Sequence, residues 1–265
     1  MAIKIMIDAG HYKDYNRSVV YKLYYEGNMT FRLQGYLKKE LEAYGFKVDV
    51  TRKRTSDNPS LYNRGFMAKG YDLFLSLHSN ACGTESVDRV VVIKGYDQGD
   101  ALAKVLATAI HDTMQPEQKY QIYKKQQSSG AEYYGVLRGA KAAGVANRFI
   151  LEHSFHTNEK MAMWLYSDAH LKKLAKAEAK AIAKYYGYDK KEETKEESKD
   201  DKTGVYRIIS DTLNIRKGPG TSYDKVGELH KGDAYTVVKV DGSWGYLKTG
   251  AGWISLNSSY VLKVK

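Results

Sequence analysis

The chain of 265 residues has one cysteine, Cys82, which excludes an intramolecular disulfide framework and any multi-cysteine zinc ribbon. It has no run of about 18 apolar residues, so no segment reads as a membrane-spanning helix and no membrane partner is expected. The opening stretch from Met1 to Asp8 is short and carries only Lys4 as a basic residue. Asp8-Ala-Gly-His11 stands where a signal-peptide cleavage site belongs. The stretch therefore reads as a first strand, and the expectation is a protein synthesised in the cytoplasm without a secretion signal of its own. The segment 189–203 lacks any aromatic or aliphatic side chain, so burial cannot offset the entropy of ordering it. It reads as a flexible charged linker.

What is present is enough for a core: 43% of residues are hydrophobic and 28% charged. The length allows one large domain or two unequal ones, and the linker divides the chain into residues 1–188 and 204–265. The formal net charge is +11. It falls as +9 on the first part, −2 on the linker and +4 on the last. The basic surplus thus belongs to the folded parts and predicts attraction to a polyanion, while it argues against a basic nucleic-acid-binding arm, and no nucleic-acid partner is expected.

Before the linker, apolar strands (Ile3–Ile7, Lys47–Thr51, Asp72–Leu77, Arg89–Ile93, Arg148–Leu151) alternate with helical stripes. One stripe is Leu33, Tyr36, Leu37, Leu41 and Tyr44, with Asn28 as its cap and Gly45 as its stop. A second is Leu102, Val105, Leu106, Ala109 and Ile110. A third is Leu171, Leu174, Ala175, Ile182 and Tyr186, ended by Gly187. This alternation predicts an α/β domain with an open, twisted, mostly parallel sheet flanked by helices. After the linker the period becomes two and turns contain glycine, which predicts a small all-β barrel. Leu213, Ile215, Val237 and one tryptophan are expected in its core.

In an open α/β sheet, reacting groups collect beyond the carboxyl ends of the strands. There the first strand runs into His11, the third into Ser76-Leu-His78-Ser-Asn80, and the last into Glu152-His153. Two imidazoles and a carboxylate suit a zinc site that keeps one position for water. A lone histidine is ordinarily a satisfied structural residue, and His111, His170 and His230 are read that way. Cys82 reads as small packing. His153 and His156 flank the strand end as groups near the metal or the substrate.

The order Asp8-Ala-Gly-His11, Glu26, Thr51-Arg52, Ser76-Leu-His78-Ser-Asn80-Ala81, then Leu151-Glu152 with Phe155 and Asn158, resembles the zinc-dependent N-acetylmuramoyl-L-alanine amidases of type 3 across residues 1–187. The resemblance implies zinc held by His11, Glu26 and His78, with Glu152 as the catalytic carboxylate. Asn80, Arg64 and His153 are candidates for binding substrate. Glu26 follows from the resemblance alone; by position it is an ordinary solvated carboxylate before a helix. The sequence departs from the family at Ala9 (commonly Pro) and Tyr12 (commonly Gly), and between Ser79 and Arg89 it lacks family landmarks.

Leu213-Asn-Ile-Arg-Lys-Gly-Pro-Gly220, Tyr223, Trp244, Gly252-Trp-Ile254 and Ser259-Tyr-Val261 resemble bacterial SH3-like domains, which implies binding to the bacterial cell wall. Tyr223 and Trp244 are its candidate ligand-stacking residues. Together the two resemblances imply a peptidoglycan hydrolase that cleaves the amide between N-acetylmuramic acid and L-alanine. They imply a monomeric catalytic domain, with anionic wall polymers as further partners. The combination resembles bacteriophage endolysins, which reach the wall through a lesion made by a holin. A sporulation or cell-wall autolysin, a zinc peptidase acting on the stem peptide and a non-enzymatic wall-binding protein are the alternatives.

Overall fold

A computed structural model describes residues 2–188 and 203–264. The expected linker lies outside the described residues except for Thr203. The chain divides into two compact units, Met1–Lys191 and Glu192–Lys265.

The first unit is built on six strands: β1 (Lys4–Ala9), β2 (Lys47–Val50), β3 (Leu73–Asn80), β4 (Val91–Lys94), β5 (Gln121–Tyr123) and β6 (Asn147–Phe155), in the order β2-β1-β3-β6-β4-β5. β2, β1, β3 and β6 run parallel; β4 is antiparallel to β6 and carries β5 parallel to itself. Five strands lie where the apolar runs point. β5 is three residues with one aliphatic side chain, Ile122, too little for a period to register. β3 and β6 both outlast their apolar runs, so His78 and Glu152 sit inside paired strands and not in the loops beyond them. Polar residues read as loop here continue the ladder, with His78 opposite Glu152.

Helices α1 (Glu26–Ala43), α3 (Ala101–Met114) and α6 (Asp168–Tyr186) cover one face of the sheet, burying Leu33, Leu37, Leu106, Ile110, Leu174 and Ile182 against Ile7, Leu75 and Leu151. The remaining helices, α2 (Leu61–Phe66), α4 (Gly135–Ala142) and α5 (Glu159–Tyr166), are too short to show a stripe in the sequence. α4 packs on the opposite face with Met6, Phe74 and Ile150, and α2 crosses it. That crossing is possible because both helices have glycine at the contact. A Cβ on Gly65 would lie 1.9 Å from the Val136 carbonyl oxygen, and one on Gly139 2.0 Å from that of Tyr62.

Two helix ends bear on the sequence reading. Gly45 and Gly187 have φ of 94° and 70°, the left-handed conformation that stops α1 and α6. The cap of α1 is not Asn28: the helix starts two residues earlier, and Asn28 donates to the Asp14 carboxylate. The first amides of α1, Glu26 and Gly27, donate instead to the carbonyls of Asn16 and Tyr15. The loop just before the helix supplies the cap through its backbone carbonyls, and no side-chain motif announces it.

The second unit is a single antiparallel sheet in the order β13-β7-β10-β11-β12-β8-β9. Its strands are β7 (Gly204–Ile208), β8 (Thr212–Arg216), β9 (Lys225–His230), β10 (Ala234–Asp241), β11 (Trp244–Leu247), β12 (Trp253–Ser255) and β13 (Val261–Lys263). Leu213, Ile215 and Val237 are core, with Ile208, Leu229, Leu247 and Ile254. The expected core tryptophan is absent from this cluster: Trp244 and Trp253 are both half-buried, and Trp253 tilts against Tyr246 at the surface. The aromatic place in that core is taken by Tyr206, with Tyr235 packed against it.

Candidate functional site

The site is built over the carboxyl ends of β1, β3 and β6. Alternation along the strands turns Ile5, Ile7, Leu75, Leu77, Phe149 and Leu151 towards α1, α3 and α6. Asp8, Ser76, His78 and Glu152 consequently face the other way, towards α2 and α4. Gly10 continues β1, its amide donating to the Leu77 carbonyl. It must be glycine, because a Cβ there would lie 2.3 Å from the His78 ring. The chain then turns sharply: His11, Lys13 and Asn16 all have positive φ (60°, 42° and 56°). Such strain in non-glycine residues persists only where the surroundings impose it, and it clusters at functional sites.

Two buried arginines impose it here. Arg52 donates to the carbonyls of Gly10, Gly27 and Thr55, tying the end of β1 to the start of α1. Arg64 donates to Asp8, to the carbonyls of Ala9, His11 and Pro59, and to Asn58 Oδ1. Its five N–H groups thus meet five acceptors. Asp8, fully buried, also accepts from Thr51 and Ser76. Every donor of Arg64 is thus spent within the protein, one of them on the His11 carbonyl, and none is left for substrate, contrary to expectation.

That loop brings together the three residues expected to hold metal. Glu26, the first residue of α1, is fully buried. Its carboxylate meets His11 Nε2 at 3.2 Å and His78 Nδ1 at 2.9 Å. One ligand atom from each of the three lies within 4.8 Å of the others. Asn16 Nδ2 and the Ser79 amide also donate to Glu26. Burial alone would raise the Glu26 pKa, but the two imidazoles and their charges outweigh it and hold the carboxyl below the ordinary range. Burial likewise presses His78 down, while Glu26 carries it the other way, up to about 9. Two imidazoles and one ionised, buried carboxylate converging on one point form a donor set that fits zinc.

Behind this cluster, the Ser79 hydroxyl is hydrogen-bonded to His156 Nδ1 and to the Tyr24 hydroxyl, at 2.9 and 2.6 Å. His156 Nδ1 lies 4.0 Å from Glu26 and reaches it through Ser79, whose amide donates to that carboxylate. Glu152, beside His78 on the neighbouring strand, has a buried Oε2 with no hydrogen-bond partner. Burial, helped by the Glu26 charge and opposed by His78 and His153, pushes its pKa up to about 7. A carboxyl poised near neutrality is suited to taking and returning a proton.

His153 is a second correction. As an odd-numbered residue of β6 it points away from the cleft, and its ring is fully buried. Nδ1 lies 2.9 Å from the His78 carbonyl and Nε2 2.7 Å from Glu178 of α6, so neither nitrogen faces substrate. Asn80 ends β3 with Oδ1 turned back to the Ala81 amide and is not among the residues lining the cleft. In the second unit, Trp244 lines a cavity of about 230 Å³ with Asn214, Arg216 and Tyr260. Tyr223 does not line it: its ring rests on Gly218, and its carbonyl accepts from Arg216. The sequence assigned no role to Asn16, nor to Arg52 and Ser79 within the family-like motifs, because these roles depend on chain segments that meet only in three dimensions.

The fold and the site define a class: an α/β protein with a metal-type His-Glu-His cluster and a separate carboxyl at the carboxyl edge of a mostly parallel sheet. The sequence profile of the N-acetylmuramoyl-L-alanine amidases matches residues 5–184, and the chain belongs to that family of peptidoglycan amidases. The profile of bacterial SH3 domains matches residues 211–261. Among solved structures, the chain is similar to the catalytic domain of CwlV, an N-acetylmuramoyl-L-alanine amidase of Bacillus (Paenibacillus) polymyxa var. colistinus, with 18% identity and a TM-score of 0.61 over 71% of this chain and 99% of that one. It is similar to the amidase AmiC2 of Nostoc punctiforme, with 20% identity and a TM-score of 0.59 over 70% and 97%. At these identities the likeness is one of fold. The Bacillus subtilis (strain 168) protein YrvJ is 42% identical over 45 residues, 17% of this chain and 9% of that protein, so the match spans under a tenth of this curated relative.

Proposed function

We propose that the protein hydrolyses the amide between N-acetylmuramic acid and L-alanine in peptidoglycan, with zinc held by His11, Glu26 and His78. The observation that carries this reading is the meeting of these three side chains beside Glu152, whose Oε2 is buried and unpartnered. Zinc bound there would lower the pKa of a water molecule and polarise an amide carbonyl. The chain's own groups do the rest. Asn16 and Ser79 fix the Glu26 carboxylate so that both imidazoles face one point. Arg64 and Arg52 hold the His11 loop in its strained form. Glu152, not a ligand, accepts the proton of the attacking water and returns it to the departing L-alanine nitrogen.

The SH3-like unit is proposed to hold the enzyme on its insoluble substrate, raising the effective concentration of the catalytic unit at the wall. The cavity beside Trp244 supports that reading. The net charge of +11 favours walls rich in anionic polymers. The biological setting proposed is that of a phage endolysin, synthesised in the host cytoplasm and released to the wall; an autolysin would use the same chemistry.

Digestion of purified walls tests the activity. Free amino groups on L-alanine must appear without new reducing sugars, disappear with a chelator and return with zinc. New amino groups on other residues would make the protein a stem-peptide peptidase. Wall binding without release of either would leave a non-enzymatic adhesin.

A further inference from the structure

The cleft in front of His11 and His78 has a volume of about 520 Å³ and an unusual wall. Tyr15 stacks on His11 with ring centroids 5.1 Å apart and planes 22° off parallel, and Tyr12 stacks on Tyr15 at 5.6 Å and 23°. Parallel rings at these centroid distances are offset, so the three form a stepped ramp. It runs from Tyr12 through Tyr15 to His11, a candidate metal ligand. Tyr15, in the middle, is 51% exposed, although tyrosine is usually drawn further into a protein surface. Pro59 and Leu61 stand among the lining residues of the same cleft, with Leu61 63% exposed.

The charge of the cleft narrows what fits. Apart from the two histidines, its charged lining residues are Asp8 and Arg64. They are paired with each other, and every N–H of Arg64 is spent within the protein. Among the described residues lining it, no lysine, arginine or carboxylate is left to pair with a charged ligand. Beyond the two histidines, which face Glu26, the carboxylates and amino group of a stem peptide would find no free charged side chain here. A neutral ring with an apolar C–H face and a rim of hydroxyls matches aromatic rings that carry hydroxyls of their own.

We infer that the Tyr12–Tyr15 ramp is a saccharide subsite, which takes the pyranose ring adjoining the bond to be cut and so sets which side of that bond lies towards the His11 loop. The inference rests on the proposed amidase activity and names the part of its substrate that these residues recognise.

The test uses the full-length, zinc-supplemented protein and two probes in parallel binding titrations followed by NMR. One is the neutral amide of N-acetylmuramic acid; the other is N-lactoyl-L-alanyl-D-isoglutamine, which keeps the scissile amide and has no sugar. Replacing Tyr15→Leu should weaken the sugar probe about fivefold to tenfold, the loss expected for one aromatic stack, and leave the sugar-free probe unchanged. Tyr15→Trp should keep the sugar affinity. Tyr12→Ala, whose ring is one step further from His11, should weaken the sugar probe without altering bound zinc. Equal weakening of both probes, unchanged sugar binding in Tyr15→Leu, or no sugar binding by the parent protein would overturn the subsite. If the sugar binds as described while walls release no L-alanine amino groups, the amidase reading fails and the subsite stands. If walls are cut and Tyr15→Leu binds sugar normally, the reverse holds.

Discussion

Replacing Arg64→Met should destabilise the α/β unit more than any single surface change, because it leaves a carboxylate stranded. Asp8 is fully buried, Arg64 is 2% exposed, and their ion pair is 3.0 Å long. Removing one partner of a buried pair costs about 3–5 kcal/mol, since the other charge stays in a medium that solvates it poorly. For a unit of this size that corresponds to a fall in Tm of about 6–20 °C. Calorimetry of the full chain in a chelator is the assay: metal then adds nothing to the folded state, and the transition of the SH3-like unit is an internal reference. The pair is coupled, so the double variant Asp8→Asn/Arg64→Met should be more stable than the sum of the single variants implies, by about 1 kcal/mol or more. Arg64 also pins the His11 carbonyl, so zinc affinity should fall with stability, by about tenfold or more. A loss below about 1 kcal/mol in Arg64→Met, or strict additivity of the two changes, would refute the account of a buried carboxylate that needs the Arg64 charge besides its hydroxyl donors.

Glu152→Gln should keep bound zinc and wall binding while release of L-alanine amino groups falls at least about a hundredfold; measurable lysis at the parental rate would exclude a proton-transfer role. His78→Ala should abolish stoichiometric zinc, read by atomic absorption. In the metal-free protein His78 has its pKa raised to about 9 from 6.5, so its contribution to stability is complete below pH 6.5 and is lost as pH rises towards 9. Thermal melts in chelator should show that decline, and His78→Ala should flatten it. In the SH3-like unit, Ile254 is fully buried, and Ile254→Ala should cost about 2–4 kcal/mol in that unit's transition alone.

The sheet and three long helices were legible because their apolar residues recur at periods of two and of three to four. What failed to register was short or non-local. β5, α2, α4 and α5 are three to eight residues long, less than a readable period requires. The α1 cap was misplaced because carbonyls of Tyr15 and Asn16 do the work that a side chain usually does. At the site, His11, His78 and Glu152 were visible as polar residues ending apolar strands. Glu26 had no such mark, and only the family resemblance pointed to it. Arg64 and His153 were misread for one reason: polarity in a sequence does not reveal whether a donor's partners lie in solvent or in the protein, and both residues spend theirs inside.

The neighbours Glu152 and His153 turn one strand into a device with two different sides. The carboxyl lies on the side of the strand that carries His78, while the imidazole on the other side joins the His78 backbone to α6. A single-residue insertion or deletion within β6 would exchange them, sending an imidazole to the water's side and a carboxylate into the helix layer. Strand length here is thus a chemical setting as well as a structural one. The count of residues along β6 is therefore as much a part of the site as the identity of Glu152.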